Sequence, residues 1–430
     1  MTNYKELTEC RICGNDDLST VFAMGDFTLS GRFPAEGEAD PGVIPMTLVR
    51  CNDERTPSAC GLLQLKEQVQ GEELYQHDYG YRSGINSTMT NHLTDIVNEV
   101  TQRGVLNPGD LVLDIGSNDS TLLKQYSKDL VRIGIDPTGE QFRSFYDDDI
   151  ALTSDFFDKG SFDRASPNGK KAKVITSIAM FYDLPDPTAF ARDIRDCLDP
   201  NGLWVFEQSY MPTMLKTRSL DTACHEHLEY YGVKQIKHIL DSVDMKIVDT
   251  NFNDSNGGSF RVTAAHKDNP IKPRVLVDQI LKAEKELGLS TSVPYDEFRE
   301  NSEKVKEEIH KFLTEEKDKG KSIYIYGAST KGNTLLQYCG IGKDLITAAA
   351  ERNPEKFGKR TPGTGIPIIS EEEARKANPD YFIVLPWHFK DEFIKREADY
   401  LDQGGKLIFP LPEFTVVSRH KGKRGYEYNK

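Results

Sequence analysis

The sequence predicts an α/β fold with two sheet-forming regions and a small cysteine-rich region before them. Short apolar runs alternate with amphipathic stretches from about residue 76 to 268, and the same alternation returns after residue 320. At 430 residues, with 21 Phe and 18 Tyr, the chain is long enough for two or three domains with apolar cores. We divide it into 1–75, 76–268, a helical linker at 269–320, and 321–430.

The most informative motif is a pair of apolar runs that each lead to an aspartate. Leu111-Val-Leu-Asp-Ile-Gly-Ser-Asn-Asp119 is followed by Val131-Arg-Ile-Gly-Ile-Asp136. This pattern fits the S-adenosylmethionine (SAM) pocket of a class I methyltransferase, where Gly116 lets the backbone approach the methionine part and Asp136 binds the ribose hydroxyls. A nicotinamide-binding loop or a purely structural turn is the alternative, but a nicotinamide loop would contain G-x-G-x-x-G.

Four further residues complete the predicted SAM site. Asp114 lies two residues before Gly116, at the end of the first apolar run. Asp155 follows the apolar run 150–154 and is expected to meet the adenine amino group. Asn118 and Phe156 are also assigned to the cofactor.

The strands expected around this loop form a largely parallel sheet with an antiparallel edge. They are predicted at Leu111–Ile115, Arg132–Asp136, Lys173–Ala179, Leu203–Glu207, Met245–Thr250 and Ser259–Ala265. The segment 275–319 is rich in Glu and Lys at helical spacing, which predicts two linker helices.

Four of the seven cysteines lie in the first sixty residues, at Cys10, Cys13, Cys51 and Cys60. A Cys-x-x-Cys-Gly knuckle followed by a second pair is typical of a structural zinc site with four thiolate ligands. Eight residues separate Cys51 from Cys60 where two are usual, so the second half must contain a looped-out insertion. The alternative is four unliganded cysteines. A zinc ion would stabilise a region too short for a large core.

A second strand, glycine loop and helix are predicted from Ser322 to Leu336, which indicates a Rossmann-like C-terminal domain. Further strands are expected at Leu345–Ala350, Tyr381–Leu385 and Lys406–Phe409. The loop is not a P-loop, because Lys331 precedes Gly332 where that motif has Gly-Lys-Ser/Thr. Backbone amides at a helix N-terminus together with Lys331 suit a diphosphate. A tight turn with a solvated lysine is the alternative.

Proton-transfer groups are concentrated in one segment, where His225, Glu226 and His227 precede Tyr230 and Tyr231. A metal site is disfavoured here, because His-x-His lacks the spacing of the His-Glu-x-x-His motif. If the segment is catalytic, one imidazole removes a proton from the substrate while Glu226 orients it or carries charge. A purely structural role is the main alternative.

The amino-acid composition restricts the binding partners and the cellular location that we expect for the protein. A net charge of −14 opposes binding to nucleic acid and to anionic membranes. No apolar stretch approaches the roughly 18 residues of a membrane span, and the N-terminus lacks the apolar core of a signal peptide. We therefore predict a cytoplasmic protein with reduced thiols, since an odd number of cysteines without an export signal argues against a disulfide framework.

Six motifs occur here in the order in which they occur in sugar C-methyltransferases, which the chain resembles over nearly its whole length. They are Cys-x-x-Cys-Gly, Leu29-Ser-Gly-Arg-Phe-Pro34, Leu113-Asp-Ile-Gly-Ser-Asn-Asp119, His225-Glu-His227, Asn256-Gly-Gly-Ser-Phe-Arg261 and the loop 327–333. Members of that family act on nucleotide-linked deoxysugars. The resemblance implies that a zinc-bearing domain, a SAM domain and a Rossmann-like domain enclose the cofactor and a nucleoside-diphosphate 4-keto sugar.

The resemblance also implies a mechanism. A ketone acidifies the neighbouring C–H, a histidine takes the proton, and the enolate carbon attacks the methyl group of SAM. His227 is implied as the base with Glu226 beside it, and His225 is its competitor. Tyr79 or Tyr81 is implied to hold the sugar or its developing oxyanion.

The predicted function is therefore methylation of a carbon next to the ketone of an NDP-linked keto-deoxysugar. Four residues are assigned to the substrate: Lys331, Asn333, Arg82 and Asn256. The nucleotide, the sugar and the choice between monomer and dimer stay open.

The chain departs from the family pattern in four places. The family usually has Tyr at Cys224, Gly at Ser120 and Cys-x-x-Cys at Cys51 and Cys60, and some members have a histidine near Phe181. Because the Tyr and His are missing, a sugar O-methyltransferase that uses the same histidine on a hydroxyl is the alternative. An NAD(P)-linked sugar oxidoreductase and a binding module on a zinc scaffold are the alternatives from other classes.

Overall fold

The computed structural model describes residues 4–75, 81–274, 277–419 and 425–429, whose strands form four sheets. Two of these sheets have seven strands each and correspond to the two predicted α/β regions. The other two sheets are small and belong mostly to the N-terminal region. None of the helices in the described ranges combines the length and the apolarity that a membrane crossing requires.

The N-terminal region is mostly β-structure. Its elements are β1 (Tyr4–Glu6), β2 (Leu18–Thr28), β3 (Val43–Cys51), β4 (Leu63–Leu65), β5 (Glu67–Val69) and the short helix α1 (Gly71–Leu74). Strand β3 pairs antiparallel with β2 and β4, and β1 pairs with β5. A strand from much later in the chain, Glu229–Tyr230, adds to the edge of β4. The N-terminal sheet is thus completed by the segment that follows the His-Glu-His motif.

The middle sheet has the strand order β12-β13-β10-β9-β6-β7-β8. Its elements are α2 (Ser87–Gln102), β6 (Leu111–Ile115), β7 (Val131–Ile135), α3 (Gly139–Phe142), β8 (Ile150–Thr153), α4 (Lys159–Ala165), β9 (Ala172–Ile178), α5 (Pro187–Cys197), β10 (Leu198–Ser209), α6 (Met211–Thr217), β11 (Glu229–Tyr230), α7 (Val233–Ser242), β12 (Met245–Asn253) and β13 (Ser259–His266). Strands β6 to β10 are parallel and β13 is antiparallel to both of its neighbours, which confirms the predicted sheet. The carboxyl ends of the parallel strands meet at one edge, where ligands of such sheets bind.

Three element bounds differ from prediction for physical reasons. Strand β10 is longer than the predicted Leu203–Glu207, because it pairs with β9 on one side and with β13 on the other. Asp114 lies inside β6 and not at its end. The strand predicted at Leu345–Ala350 begins only at Ala349, since the amides of Leu345 and Ile346 both donate to the Gly342 carbonyl in a turn.

Two helices, α8 (Val277–Glu286) and α9 (Val293–Asp318), connect the two α/β regions as predicted. Helix α9 buries one stripe of side chains at helical spacing, which includes Phe298, Val305, Ile309 and Leu313. This stripe belongs to a core shared with β2 and with the C-terminal sheet. The linker is therefore packed between domains and not exposed on all sides.

The C-terminal sheet has the strand order β16-β15-β14-β17-β18-β19-β20. Its elements are β14 (Ile323–Tyr326), α10 (Thr330–Cys339), β15 (Ala349–Glu351), β16 (Ile368–Ser370), α11 (Glu371–Ala377), β17 (Tyr381–Val384), α12 (Lys390–Arg396), α13 (Ala398–Asp402), β18 (Lys406–Phe409), β19 (Thr415–Arg419) and β20 (Tyr426–Asn429). The first five strands of that order are parallel, in the 3-2-1-4-5 arrangement of a Rossmann sheet.

Replacement of Trp204 tests the packing of the middle sheet. Its side chain is fully buried, stacks on Phe206 at 4.1 Å and donates a hydrogen bond to Ser177 Oγ at 2.9 Å. Trp204→Ala should lower the free energy of unfolding by about 3–5 kcal/mol through the cavity it leaves, measured by urea titration with circular dichroism. Phe252→Ala, at a half-exposed site on β12, is the control and should cost far less. Equal losses in both variants would contradict this view of the core.

Candidate functional site

A cavity of about 580 Å³ opens at the carboxyl edge of the middle sheet. It is lined by five of the predicted SAM-site residues, namely Asp114, Gly116, Asn118, Asp136 and Phe156. Its volume lies in the range of sites for small molecules and cofactors. The strand ends therefore form a binding crevice where the sequence predicts one.

The loop after β6 is shaped for a close approach of its backbone to a ligand. Gly116 has φ +69°, and a Cβ atom there would lie 3.3 Å from the Met180 side chain. Asp136 follows β7, where one carboxylate oxygen accepts from the Asn118 amide at 2.7 Å and the other accepts from the Thr138 amide and hydroxyl at 2.6 Å. Because four lone-pair directions are available on a carboxylate, Asp136 keeps acceptor capacity for a diol. These residues fit a nucleoside.

Burial controls the charge of both aspartates. It raises the pKa of Asp136, and it raises the pKa of Asp114 to about 7, with a further contribution from the negative charge of Asp136. Thr176 opposes the shift at Asp114 by donating a hydrogen bond at 2.5 Å. A ligand with hydroxyl or ammonium donors would replace the water that these carboxyl groups have lost.

Three other residues are predicted near the cofactor loop, namely Tyr81, Asp155 and Tyr79. Tyr81 also lines the cavity, and its carbonyl accepts from the Asn118 amide group at 3.1 Å. Asp155 is not part of the lining, because its carboxylate pairs with Arg164 at 2.6 Å. Tyr79 lies outside the described residues. The roles of all three remain predictions.

The four cysteines of the N-terminal region converge, and their sulfur atoms all lie within 4.8 Å of one another. The Cys10–Cys60 and Cys13–Cys51 sulfur pairs are separated by 3.4 and 3.5 Å. A tetrahedral Zn²⁺ with Zn–S bonds near 2.3 Å needs sulfurs roughly 3.8 Å apart, so the donor set fits zinc. The predicted insertion is a turn, in which the Thr56 amide donates to the Asn52 carbonyl.

Arg11 connects this cysteine cluster with the segment after the His-Glu-His motif. Its guanidinium donates to the Leu65 carbonyl at 2.7 Å and lies 3.4 Å from the Leu228 carbonyl. It also lies 3.6 Å from Glu229, and both charged side chains are fully buried. The energy of an ion pair that is shielded from water depends strongly on its geometry. Arg11 therefore holds β4 and β11 in a fixed position relative to the Cys10–Cys13 knuckle.

His227 lies where the middle and C-terminal regions meet. Its Nδ1 is 2.6 Å from the Thr222 carbonyl oxygen, and its ring packs on Tyr182 at 4.2 Å between centroids. A carbonyl can only accept, so Nδ1 bears the hydrogen and Nε2 has the lone pair. Burial, assisted by the positive charge of Lys331, lowers the pKa of His227 to about 4. The imidazole is therefore neutral at physiological pH and able to accept a proton.

His225 and Glu226 face the N-terminal sheet. His225 is fully buried with Nε2 3.3 Å from the Pro45 carbonyl oxygen, and burial lowers its pKa to about 4. Burial raises the pKa of Glu226, and the Gly31 amide donates to its carboxyl group. A Cβ at Gly31 would collide with that carboxyl group, which explains the glycine of the Ser-Gly-Arg-Phe motif.

Lys331 reaches out of the C-terminal domain toward the middle sheet. Its Nζ donates to the Asn256 carbonyl at 2.9 Å and lies 3.9 Å from Asp221. Asp221 also accepts from Trp387 Nε1 at 3.0 Å. Asn256 lines the large cavity, so these residues connect the cavity with the C-terminal loop.

Two of the predicted substrate residues, Arg82 and Asn333, contact other parts of the protein and not the large cavity. Arg82 stacks over the Phe145 ring at 4.3 Å and lies 3.8 Å from Asp119. Asn333 is fully buried, and its amide group donates to the Ser30 carbonyl at 2.7 Å. Neither lines the large cavity, and their assignment to the substrate remains a prediction.

The sequence reasoning did not identify three polar groups of this site. Asp183 lines the cavity just after β9, and Tyr182 beside it contacts His227. His92, on α2, lines the cavity and pairs with Glu207 at the end of β10. Asp183 had a usable signal, since it is a carboxyl group in the turn that follows a central strand. His92 had none, because only packing brings α2 to the sheet edge.

Three family models match successive parts of the chain. A family described as a zinc binding domain matches 10–75, a methyltransferase domain family matches 85–250, and a family described as the C-methyltransferase C-terminal domain matches 254–412. These matches confirm the predicted fold class and the predicted SAM and zinc cofactors.

Individual methyltransferases are also similar to this chain. The C-methyltransferase NovU of Streptomyces niveus is 29% identical over 418 residues, which are 96% of this chain and 98% of NovU. The SAM-bound magnesium protoporphyrin IX methyltransferase of Synechocystis PCC 6803 is 12% identical with a TM-score of 0.31, over 41% of this chain and 79% of that one. The N-methyltransferase NodS of Bradyrhizobium japonicum is 11% identical with a TM-score of 0.31, over 43% of this chain and 89% of that one.

Elemental analysis of the purified protein should find one zinc ion per chain. Cys60→Ser removes one thiolate from the four-sulfur cluster, so zinc should be lost and the melting temperature should fall. Cys339→Ala removes a buried cysteine outside the cluster and is the matched control. Full zinc content in the Cys60 variant would refute the ligand assignment.

Asp136→Ala tests the nucleoside position in the cavity. The substitution removes the acceptors for a buried diol and should weaken S-adenosylhomocysteine binding by about 1–3 kcal/mol in calorimetry. Asp148→Ala, at an exposed position in the same domain, should bind as the wild type does. Unchanged affinity in the Asp136 variant would place the ribose elsewhere.

Proposed function

We infer that the chain is a SAM-dependent C-methyltransferase, supported by the three family matches and the similarity to NovU, and we propose that its substrate is a nucleoside-diphosphate-linked keto-deoxysugar, methylated on the carbon beside the ketone. The observation that supports this proposal best is the neutral His227, with its lone pair on Nε2. His227 itself does not line the cavity, but the adjacent Leu228 does, and a neutral imidazole beside this crevice suits proton abstraction from carbon.

His227 is the proposed general base. A C–H beside a ketone is a weak acid, so its removal needs a base held in place and a stabilised oxyanion. The Thr222 carbonyl fixes the tautomer and the Tyr182 ring fixes the plane of the imidazole. His225 is directed to Pro45 on the N-terminal sheet, which favours His227 of the two.

The proton and the electrons have defined destinations in this proposal. The C–H proton moves to His227 Nε2, and the C–H electron pair becomes the C=C bond of an enolate. When bound, SAM would supply an electrophilic methyl group to the nucleophilic carbon, and the sulfur would keep the electron pair of the broken S–C bond as S-adenosylhomocysteine leaves. Because Glu226 is buried beside Cys224 and its pKa is raised, it accommodates a proton or a hydrogen bond during this exchange.

The C-terminal loop is the proposed site of the nucleotide half. Lys331 is the cation that this loop directs toward the cavity-lining Asn256. The Ser329 hydroxyl caps helix α10 by accepting from the Gly332 amide, and the first amides of a helix are a general site for phosphate groups. A diphosphate beside Lys331 would place the attached sugar between the C-terminal domain and the cavity.

The base assignment is tested by solvent-deuterium exchange into a dTDP-linked 4-keto-6-deoxyhexose without SAM. His227→Ala should reduce exchange and methyl transfer by ~10²–10⁴-fold, because a positioned base is lost. S-adenosylhomocysteine affinity should hardly change. His225→Gln is the matched control and should keep exchange near the wild-type rate.

Two results would contradict the proposal in different ways. Normal exchange in the His227 variant would remove that residue from the role of base. Absence of exchange in the wild type, together with methyl transfer to the same sugar, would show that a hydroxyl oxygen is the acceptor.

A further inference from the structure

Asp183 lies between the two parts of the active site. Strand β9 ends at Ile178, and the turn after it brings Met180 against Gly116 of the cofactor loop. The next residues bring Tyr182 against the ring of His227. Asp183 follows and lines the cavity. One short turn therefore touches the SAM loop, the proposed base and the cavity.

One oxygen of this carboxyl group is enclosed without a partner. Asp183 is partly exposed where it lines the cavity, but its Oδ1 is shielded from solvent and has no donor at hydrogen-bonding geometry among the described residues, although the Tyr75 hydroxyl interacts with the carboxyl group. An ionised oxygen in such a place has lost its water without compensation, so the neutral acid is the stable form. Other carboxyl groups of the lining are satisfied, since Asp136 accepts from backbone amides and Glu207 pairs with His92 and Arg261.

The groups around Asp183 also oppose its ionisation. Burial raises its pKa well above the ordinary value, and the charge of Glu226 raises it further, while the Tyr75 hydroxyl opposes the shift. Three more acidic groups, on either side of His227 in the sequence, interact with it: Cys224, Glu229 and Tyr230. Glu229 is itself paired with Arg11.

We propose that Asp183 is a further catalytic residue, which donates a hydrogen bond from its neutral carboxyl group to the ketone oxygen of the substrate. This inference rests on the proposed function, because a ketone must be present. As His227 takes the C–H proton, negative charge develops on the ketone oxygen and the O–H···O hydrogen bond strengthens. The Asp183 proton stays on its carboxyl oxygen, so the enolate is stabilised without a second proton transfer.

Two substitutions distinguish a hydrogen-bond donor from a carboxylate. Asp183→Asn keeps an N–H donor at the same position and cannot ionise, and it should retain deuterium exchange within about tenfold of the wild type. Asp183→Leu has no donor and should slow exchange by ~10²–10³-fold. The probe is again a dTDP-linked 4-keto-6-deoxyhexose, and calorimetry with S-adenosylhomocysteine verifies that each full-length variant is folded.

The pH dependence of exchange supplies a second test that does not need the Leu variant. The wild-type rate should fall at high pH, because the donor is lost as the Asp183 carboxyl group ionises. The Asn variant should lack this fall. A fall of equal size in both proteins would overturn the inference.

The remaining outcomes are equally decisive. If Asp183→Asn is as slow as Asp183→Leu, the group acts as a carboxylate and the inference is wrong. If Asp183→Leu exchanges at the wild-type rate, Asp183 does not touch the reacting atoms. If the wild type itself does not exchange, the proposed carbanion chemistry fails, and this failure is separate from the other two.

Discussion

Burial of the segment 220–231 between all three regions of the chain is the constraint on which the site depends. The Leu65 amide of the N-terminal sheet donates to the Leu228 carbonyl at 2.9 Å, and the Leu228 amide donates to the Tyr182 carbonyl at 2.7 Å. Trp387 of the C-terminal domain donates to Asp221 at 3.0 Å. A buried loop must satisfy its backbone with the protein alone, so each region supplies part of its hydrogen bonding.

The same burial sets the protonation of the site. It lowers the pKa of His225 and His227 to about 4, and it raises the pKa of Glu226 and Asp183. Loss of water penalises the charged form of each group, so burial shifts the two histidines and the two carboxyl groups toward their uncharged forms. Lys331 nearby donates to the Asn256 carbonyl and lies 3.9 Å from Asp221.

The sequence predicts those parts of the molecule that depend on local pattern. Strand β6, the Gly116 loop and Asp136 follow from apolar periodicity, and the cysteine cluster follows from spacing, because these features need few distant partners. The site beyond them depends on which side chains meet across domains. The sequence did not single out Asp183 for this reason, and the segment around His227 is neither a helix nor a strand, so no periodicity indicates in which directions His225 and His227 point.

Arg11 links the folding of the site to metal binding at the cysteine cluster. It lies between two metal-binding cysteines, and its guanidinium holds Leu65 and Glu229 on either side of the β4–β11 pairing. An ion that binds only the folded knuckle also stabilises the structure that packs on the knuckle. The gain in free energy grows with the logarithm of the free ion concentration. Zinc bound at the knuckle would therefore also stabilise the pairing of β11, the strand that follows His227, with β4.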